Sequence, residues 1–150
     1  MTFSTYKPRT ICEGGFYSPA FDAVAKAGGV TTDAAYPYDI TVNQCDVTKN
    51  DYIVTVTKYN EVVGQQNMIN HILYGGALAV VVDASMMSGY TSGIFNNCPA
   101  TRVNQGVQIV GVNVDEGCWI IRNSSGKWWG DKGYMKLALV RPSPVTAQTI

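Results

Sequence analysis

The sequence lacks several features that would assign it to common functional classes. It has no net charge, because 11 basic residues balance 11 acidic ones, so neither a nucleic-acid-binding surface nor an acidic tail is indicated. It has no apolar run long enough to span a bilayer, and its first residues lack the apolar stretch of a signal peptide. With a single histidine and no C-x-x-C pair, it contains no finger-like metal set. We therefore expect no metal, no cofactor, and neither nucleic acid nor membrane as a partner.

The composition nevertheless indicates a folded domain. The chain has 150 residues, 46% of them apolar, which is enough for one domain with a sizeable core. Its N-terminus fits either an intracellular protein or an excised part of a longer precursor. Four widely spaced cysteines are consistent with two disulfides or with four buried thiols. Disulfides would imply an extracellular or lysosome-like compartment. The four candidates are Cys12, Cys45, Cys98 and Cys118.

A predicted β-hairpin organises the second half of the chain. Two apolar runs, 107–112 and 119–121, flank a turn-forming Asp-Glu-Gly sequence at 115–117. If the strands pair about that turn, the side chains of Gln105 and Asn123 meet near the open end. The apolar runs are explained equally well as two core strands without a site.

Further periodic segments surround the hairpin. We predict a helix from Ser18, with Ser18 as the N-cap, Pro19 at its first position and glycines at 28–29 as its stop. A second helix is predicted over 65–74, with Leu73 on its apolar side and His71 as a structural histidine. The remaining predictions are an alternating strand at 53–59, a strand covered on both faces at 77–82, a loop packed by its own aromatic residues at 86–95, a last strand at 133–139 and a loosely held tail from 141.

Several motifs follow one another along the chain: Cys12-Glu-Gly-Gly, Tyr36-Pro-Tyr, Gly93-Ile-Phe followed by Cys98, Val103-Asn-Gln-Gly-Val, and Trp119-Ile-Ile-Arg-Asn-Ser-Ser-Gly with Trp129-Gly and Gly133-Tyr. In this order and spacing they resemble the papain-like cysteine proteases. The resemblance extends over about residues 12–140. It implies an α+β fold, in which a helical domain packs against an antiparallel, β-rich, barrel-like domain with the active-site cleft between them. We therefore expect a single truncated papain-like domain, with an α-side segment at 12–50, a β-rich segment at 51–140 and a tail at 141–150.

The resemblance also indicates lost chemistry. The family's nucleophilic Cys and oxyanion-hole Gln lie on and before an N-terminal helix that has no counterpart here. Gln105 occupies the position of the catalytic His, and an amide cannot take a proton from a thiol near neutral pH. Asn123 matches the Asn that orients that His, while Ser125 replaces the Trp that shields their contact. This replacement creates the sequon Asn123-Ser124-Ser125, although a position in a cleft wall would be a poor glycosylation acceptor.

The remaining expectations concern the cleft and the cysteines. By resemblance, Gly14, Gly15 and Phe16, together with Asn104, would hold an extended peptide by β-augmentation. Trp129 is a further cleft residue. The cysteines that match Cys12 and Cys45 pair upstream in the family, so the substitutes here are Cys12 with Cys45 and Cys98 with Cys118. Sequence does not choose among the connectivities or exclude free thiols, and Cys118 takes a usually aromatic place that suits a buried thiol.

These observations favour a pseudoprotease that acts as a binding or structural subunit. A protein partner or a missing N-terminal segment would complete the α domain and cover apolar surface. The alternative is the C-terminal chain of a cysteine endopeptidase whose nucleophilic Cys is supplied by another segment or chain.

Overall fold

The structure is a computed structural model that describes residues 15–38, 52–98, 102–139 and 146–149. The chain forms two compact units, one up to Tyr59 and one from Asn60 to Thr149. The second unit thus begins at Asn60, and the predicted division of the chain into segments at 12–50 and 51–140 stays a prediction. No helix among the described residues is long and apolar enough to cross a membrane.

The first unit contains helix α1, Tyr17–Ala27. The predicted N-cap at Ser18 is wrong, because Phe16 holds the extended capping conformation and makes no side-chain cap hydrogen bond. Pro19, predicted at the first helical position, is the third residue of the helix. It is tolerated there because the N–H groups of the first turn have no intrahelical acceptor. The predicted stop is confirmed: Gly28 adopts the left-handed conformation, with φ 104°, and its N–H donates to the Val24 carbonyl at 2.9 Å.

The predicted strand at 53–59 is wrong in extent. In the described part of the first unit, this segment pairs only through an isolated antiparallel bridge between Val30 and Val54. Gly29 lets the two segments approach closely, because a Cβ there would lie 2.3 Å from the Val54 carbonyl oxygen. An alternating pattern indicates a pleated segment, but a strand also needs a partner along its length.

In its described residues, the second unit is a seven-stranded sheet with one helix. The order is β1-β7-β2-β4-β5-β6-β3, and all neighbours are antiparallel except β3 and β6, which are parallel. Helix α2 spans Gln65–Tyr74, as predicted. The strands are β1 Asn60–Val63, β2 Leu78–Val82, β3 Ile94–Phe95, β4 Gln105–Asn113, β5 Cys118–Arg122, β6 Tyr134–Ala138 and β7 Thr146–Thr149.

Alternate residues of the central strands form the core of this unit. On β2, Leu78, Val80 and Val82 are buried, while the residues between them are half-buried, so the second face is less covered than predicted. Helix α2 adds Met68, which is buried. Leu73 is 52% exposed, so its predicted place on the packed side is wrong. Buried residues of the neighbouring strands complete the core: Val107, Ile109, Trp119, Ile121, Met135 and Leu137.

Part of the predicted loose tail is a strand of the sheet. β7 lies between β1 and β2, with Thr149 opposite Asn60 and Ala147 opposite both Val62 and Val80. The backbones of β1 and β2 supply the hydrogen bonds of β7. Pairing through the backbone does not require apolar side chains, so the sequence of β7 shows no apolar pattern that would predict a strand. The tail's other residues lie outside the described part of the chain.

The predicted hairpin is confirmed as β4 and β5. Its register shifts between Ile109 and Gly111, which marks a β-bulge, a feature that bends and twists a strand. Gly111 lies against Ile120, whose Cδ1 would be 3.2 Å from a Cβ at that position. The hairpin brings the start of β4 beside the end of β5.

Candidate functional site

The open end of the hairpin brings Gln105 and Asn123 together, as predicted. Gln105 begins β4 and Asn123 follows β5, and both side chains are half-buried. The Gln105 Nε2 group donates to the Asn123 Oδ1 atom over 3.5 Å and to the neighbouring Gly106 carbonyl over 3.1 Å. The first contact is long for a hydrogen bond and therefore weak. We refer to these two side chains and the Asn123-Ser124-Ser125 turn as the hairpin mouth.

Local hydrogen bonds hold the Asn123 side chain. Its Oδ1 atom also accepts the Ser124 N–H at 2.8 Å, and its Nδ2 group donates to the Ser125 hydroxyl at 3.1 Å. The Asn123 backbone N–H donates to the Gly133 carbonyl at 3.0 Å. The Ser125 hydroxyl thus accepts a hydrogen bond from the Asn123 side-chain amide. Residues 124–128 are exposed.

The hairpin mouth contains no titrating side chain. Both Gln105 and Asn123 carry amides, which donate and accept hydrogen bonds but do not exchange a proton near neutral pH. The sequence's single histidine, His71, lies in α2, and its carbonyl accepts the N–H groups of Gly75 and Gly76. The mouth can orient a polar group, but it offers no general base of the kind that activates a thiol.

A buried carboxylate, which the sequence reasoning missed, positions the residue before Gln105. Asp83 follows β2 and is 1% exposed. Its Oδ1 atom accepts the Ser85 N–H at 3.1 Å and the Ser85 hydroxyl at 2.5 Å, and its Oδ2 atom accepts the Arg102 N–H at 3.0 Å. Asp followed two residues later by Ser, directly after a buried strand, is a turn signal that could have identified this position.

Asn104 joins this network from the other side. Its Oδ1 atom accepts the Ala84 N–H at 2.8 Å, and its Nδ2 group donates to the Ser85 hydroxyl at 3.3 Å. Its backbone N–H donates to the Val82 carbonyl at 3.0 Å. Asn104 therefore fixes the entry to β4, and Gln105 is held one residue further on.

Trp129 is anchored within the second unit. Its Nε1 group donates to the Met87 carbonyl at 3.1 Å, and its ring lies 5.6 Å from that of Tyr90. Tyr90 in turn contacts Phe95 edge-on at 6.2 Å, which confirms a segment packed by its own aromatic residues. Trp129 is half-buried, whereas its neighbour Trp128 is fully exposed.

The other predicted cleft residues belong to the first unit. Gly14 lies outside the described residues, while Gly15 and Phe16 precede α1. Phe16 has extended backbone angles, φ −107° and ψ 154°, and its side chain is 76% exposed. Their contact with a peptide stays a prediction.

Two of the four cysteines are described, and both are free thiols. The predicted pairing of Cys98 with Cys118 is therefore wrong, because Cys118 is buried on β5 and the Cys98 thiol donates to the Asp83 carbonyl at 3.5 Å. Burial raises the pKa of the Cys118 thiol, and the nearby Glu116 carboxylate raises it further. Cys12 and Cys45 lie outside the described residues. In the described part of the chain, no three His, Cys, Asp or Glu side chains cluster as metal ligands.

Comparison with known proteins identifies a family with this fold. The chain matches the papain family of cysteine proteases over residues 4–144. It is 35% identical over 132 residues, 84% of its length, to the KDEL-tailed cysteine endopeptidase CEP2 of Arabidopsis thaliana, and 33% identical over 134 residues, 85% of its length, to digestive cysteine proteinase 3 of Homarus americanus.

The chain spans 37% and 42% of the lengths of these two relatives. The structure of the bromelain protease from Ananas comosus superposes with a TM-score of 0.80 at 28% identity, covering 91% of this chain and 69% of bromelain. The α+β fold and the motifs at the hairpin mouth agree with these matches, and the chain belongs to the papain family of cysteine proteases.

Proposed function

We propose that this chain is a papain-family protein without proteolytic activity of its own, which acts as a binding or structural subunit. Gln105 carries the proposal. It occupies the position where the family's motif has the catalytic His, and its Nε2 group lies 3.5 Å from the Oδ1 atom of Asn123, the orienting residue of that motif. The contact between the two positions is kept, but the proton-accepting group is replaced by an amide.

The expected loss of catalytic rate is large. Removing one member of a nucleophile–base pair in a triad-type hydrolase lowers the rate by roughly 10⁴- to 10⁶-fold, and what remains comes from binding and the oxyanion hole. Ser125 stands where the motif has a shielding Trp, and residues 124–128 are exposed, so water reaches the mouth. Exposure to water weakens the electrostatic interactions on which such catalysis depends.

A binding role is supported by exposed apolar and extended elements. Phe16 combines an extended backbone with a 76% exposed side chain, and a segment of this kind can pair with the backbone of an extended peptide. Trp128 is fully exposed, and exposed aromatic residues are enriched at protein interfaces. The proposed partner is a protein surface, supplied by another chain or by another segment of the same protein that completes the α domain.

A second candidate is the C-terminal part of an active cysteine endopeptidase. The names of the Arabidopsis thaliana and Homarus americanus relatives, an endopeptidase and a proteinase, favour it. In that case the nucleophilic Cys would come from outside this chain, and a group other than Gln105 would act as the base. The word digestive in the second name supports an extracellular or lysosome-like compartment for this protein, and the KDEL tail of the first relative, a signal for retention in the endoplasmic reticulum, supports entry into the secretory pathway.

An assay of peptide hydrolysis distinguishes the two candidate functions. The native protein that contains this chain would be assayed with a fluorogenic peptide as wild type, as Gln105→His and as the matched control Gln108→His, whose parent residue is exposed on the same strand. We expect no hydrolysis by the wild type or by Gln108→His, and a gain in Gln105→His only if the native protein brings a thiol to the mouth. Wild-type hydrolysis that a thiol-alkylating epoxide blocks would refute the proposal.

The subunit role is tested separately by native mass spectrometry. The mass should include either a polypeptide companion in stoichiometric amount or a further segment of the same chain that completes the α domain. A monomer with the mass of this chain alone that binds no hydrophobic dye would contradict this role.

A further inference from the structure

We infer that Asn123 is an N-linked glycosylation site, so that a glycan covers the hairpin mouth. Asn123-Ser124-Ser125 is an Asn-x-Ser sequon, formed where Ser125 stands in place of the Trp of the family's motif. The sequence alone favours a poor acceptor, because this position was expected in a cleft wall. In the structure, however, the whole segment 124–128 is exposed and Asn123 itself is half-buried.

The hydrogen bonds of Asn123 leave room for a substituent on its amide nitrogen. The Nδ2 group has two hydrogens, and one of them is donated to the Ser125 hydroxyl at 3.1 Å. The contacts with Ser124 and with Gln105 both use the Oδ1 atom. Glycosylation replaces one hydrogen on Nδ2 and keeps the carbonyl oxygen. The two hydrogen bonds that Oδ1 accepts can therefore persist in the modified protein.

The surroundings of the turn also favour modification. The two residues that complete the sequon, Ser124 and Ser125, are exposed, and so are Gly126 and Lys127 after them. Gly126 has a φ of 84°, a left-handed conformation that is typical of turns. Surface turns are where N-linked glycans are carried in secreted proteins.

The transfer step uses a lipid-linked oligosaccharide pyrophosphate as the donor. A bond forms between the Asn123 Nδ2 atom and C1 of the first sugar, while the bond between C1 and the pyrophosphate oxygen breaks. One Nδ2 proton passes to a base of the transferase, and the lipid pyrophosphate leaves with the bonding electrons. This inference rests on the proposed extracellular or lysosome-like compartment, because the donor and transferase belong to the secretory pathway. The glycan would stand beside Gln105, where a catalytic base would otherwise have to act.

The test is the mass of the native protein expressed through the secretory pathway of eukaryotic cells. A tag that carries a second sequon on the same chain reports whether the transferase had access to it. We expect a glycan-sized mass increase at Asn123 that peptide N-glycanase removes from the intact protein. Cleavage after Arg122 and Lys127 follows this step, because the glycanase does not act on an N-terminal Asn, and the released peptide should contain Asp in place of Asn123. Ser125→Ala should lose this increase, and Ser125→Thr should keep it.

An unmodified Asn123 in a chain whose tag sequon is occupied would overturn the inference. This readout is independent of peptide hydrolysis. A catalytically active protein would refute the proposed loss of activity without changing the occupancy of Asn123, and an unmodified Asn123 would leave the proposed loss of activity standing.

Discussion

Replacing Asp83 by alanine tests whether a buried carboxylate holds the entry to β4 in place. Asp83 is 1% exposed and accepts the backbone N–H groups of Ser85 and Arg102, as well as the Ser85 hydroxyl. Its removal would leave two backbone donors without their charged acceptor. We expect the start of β4, with Asn104 and Gln105, to lose stability together with the loop after β2.

The magnitude follows from these bonds. A hydrogen bond to a charged group contributes about 1.5–3 kcal/mol, so two backbone donors give about 3–6 kcal/mol. Ser85 and Arg102 are themselves exposed, so water can form hydrogen bonds with the two N–H groups in place of the carboxylate. We therefore expect the free energy of unfolding to fall by about 3 kcal/mol, the lower end of this range. Asp83→Asn retains one carbonyl oxygen and should cost about half as much. Asp115→Ala, in the exposed hairpin turn, is the matched control and should change stability by less than about 0.5 kcal/mol.

Urea unfolding measures these differences. With a slope of about 1.5 kcal/mol per molar, Asp83→Ala should lower the midpoint by about 2 M, and Asp83→Asn by about 1 M. Hydrogen exchange at the Arg102 amide should accelerate in Asp83→Ala but not in the control. If Asp83→Ala unfolds at the same urea concentration as Asp115→Ala, the carboxylate does not organise this part of the fold.

Two further predictions concern the sheet. Gly130 has a φ of 59°, and a Cβ there would lie 2.5 Å from the Tyr134 carbonyl oxygen. Gly130→Ala should therefore lower the free energy of unfolding by about 2 kcal/mol or more in urea titrations, whereas Gly89→Ala, with nothing within 4 Å, should not. Burial, and then Glu116, raise the pKa of the Cys118 thiol, so the folded state keeps a proton that the unfolded chain loses. The protonated thiol's contribution to stability is fully present below the ordinary thiol pKa of about 8.5 and is lost as the pH rises through the raised pKa of the folded state. Above about pH 8.5, the free energy of unfolding should therefore depend less on pH in Cys118→Ala than in the wild type. Equal pH dependence in the two proteins would contradict a raised pKa at Cys118.

Local patterns predicted the elements that rest on local interactions. Helix α2 follows from its apolar periodicity, and the β4–β5 hairpin follows from two apolar runs around a turn. Segment 53–59 shows that the same kind of pattern can fail to form a strand, since the described residues pair with it only through the bridge between Val30 and Val54. The predicted N-cap of α1 was wrong although Ser18 has a side chain suited to capping, because the extended Phe16 occupies the N-cap position.

The parts that were missed depend on contacts between distant residues. β7 joins the sheet through backbone pairing with β1 and β2, which its short polar sequence does not indicate. The Asp83–Ser85 contacts are local, but the contacts that join the loop after β2 to the entry of β4 span 19 to 20 residues, so no short motif contains them. The meeting of Gln105 and Asn123 was predictable because it lies within one hairpin, whose turn sets which residues face each other.

Whether this protein lacks proteolytic activity is decided by the rate at which the wild-type native protein hydrolyses a fluorogenic peptide, measured beside bromelain under the same conditions. With Gln105 in place of a base, we expect the rate to lie about 10⁴-fold or more below that of bromelain and to be unaffected by a thiol-alkylating epoxide. A rate within about 100-fold of bromelain that the epoxide abolishes would contradict the proposal, because about 2.7 kcal/mol is too small a loss for a site without its base.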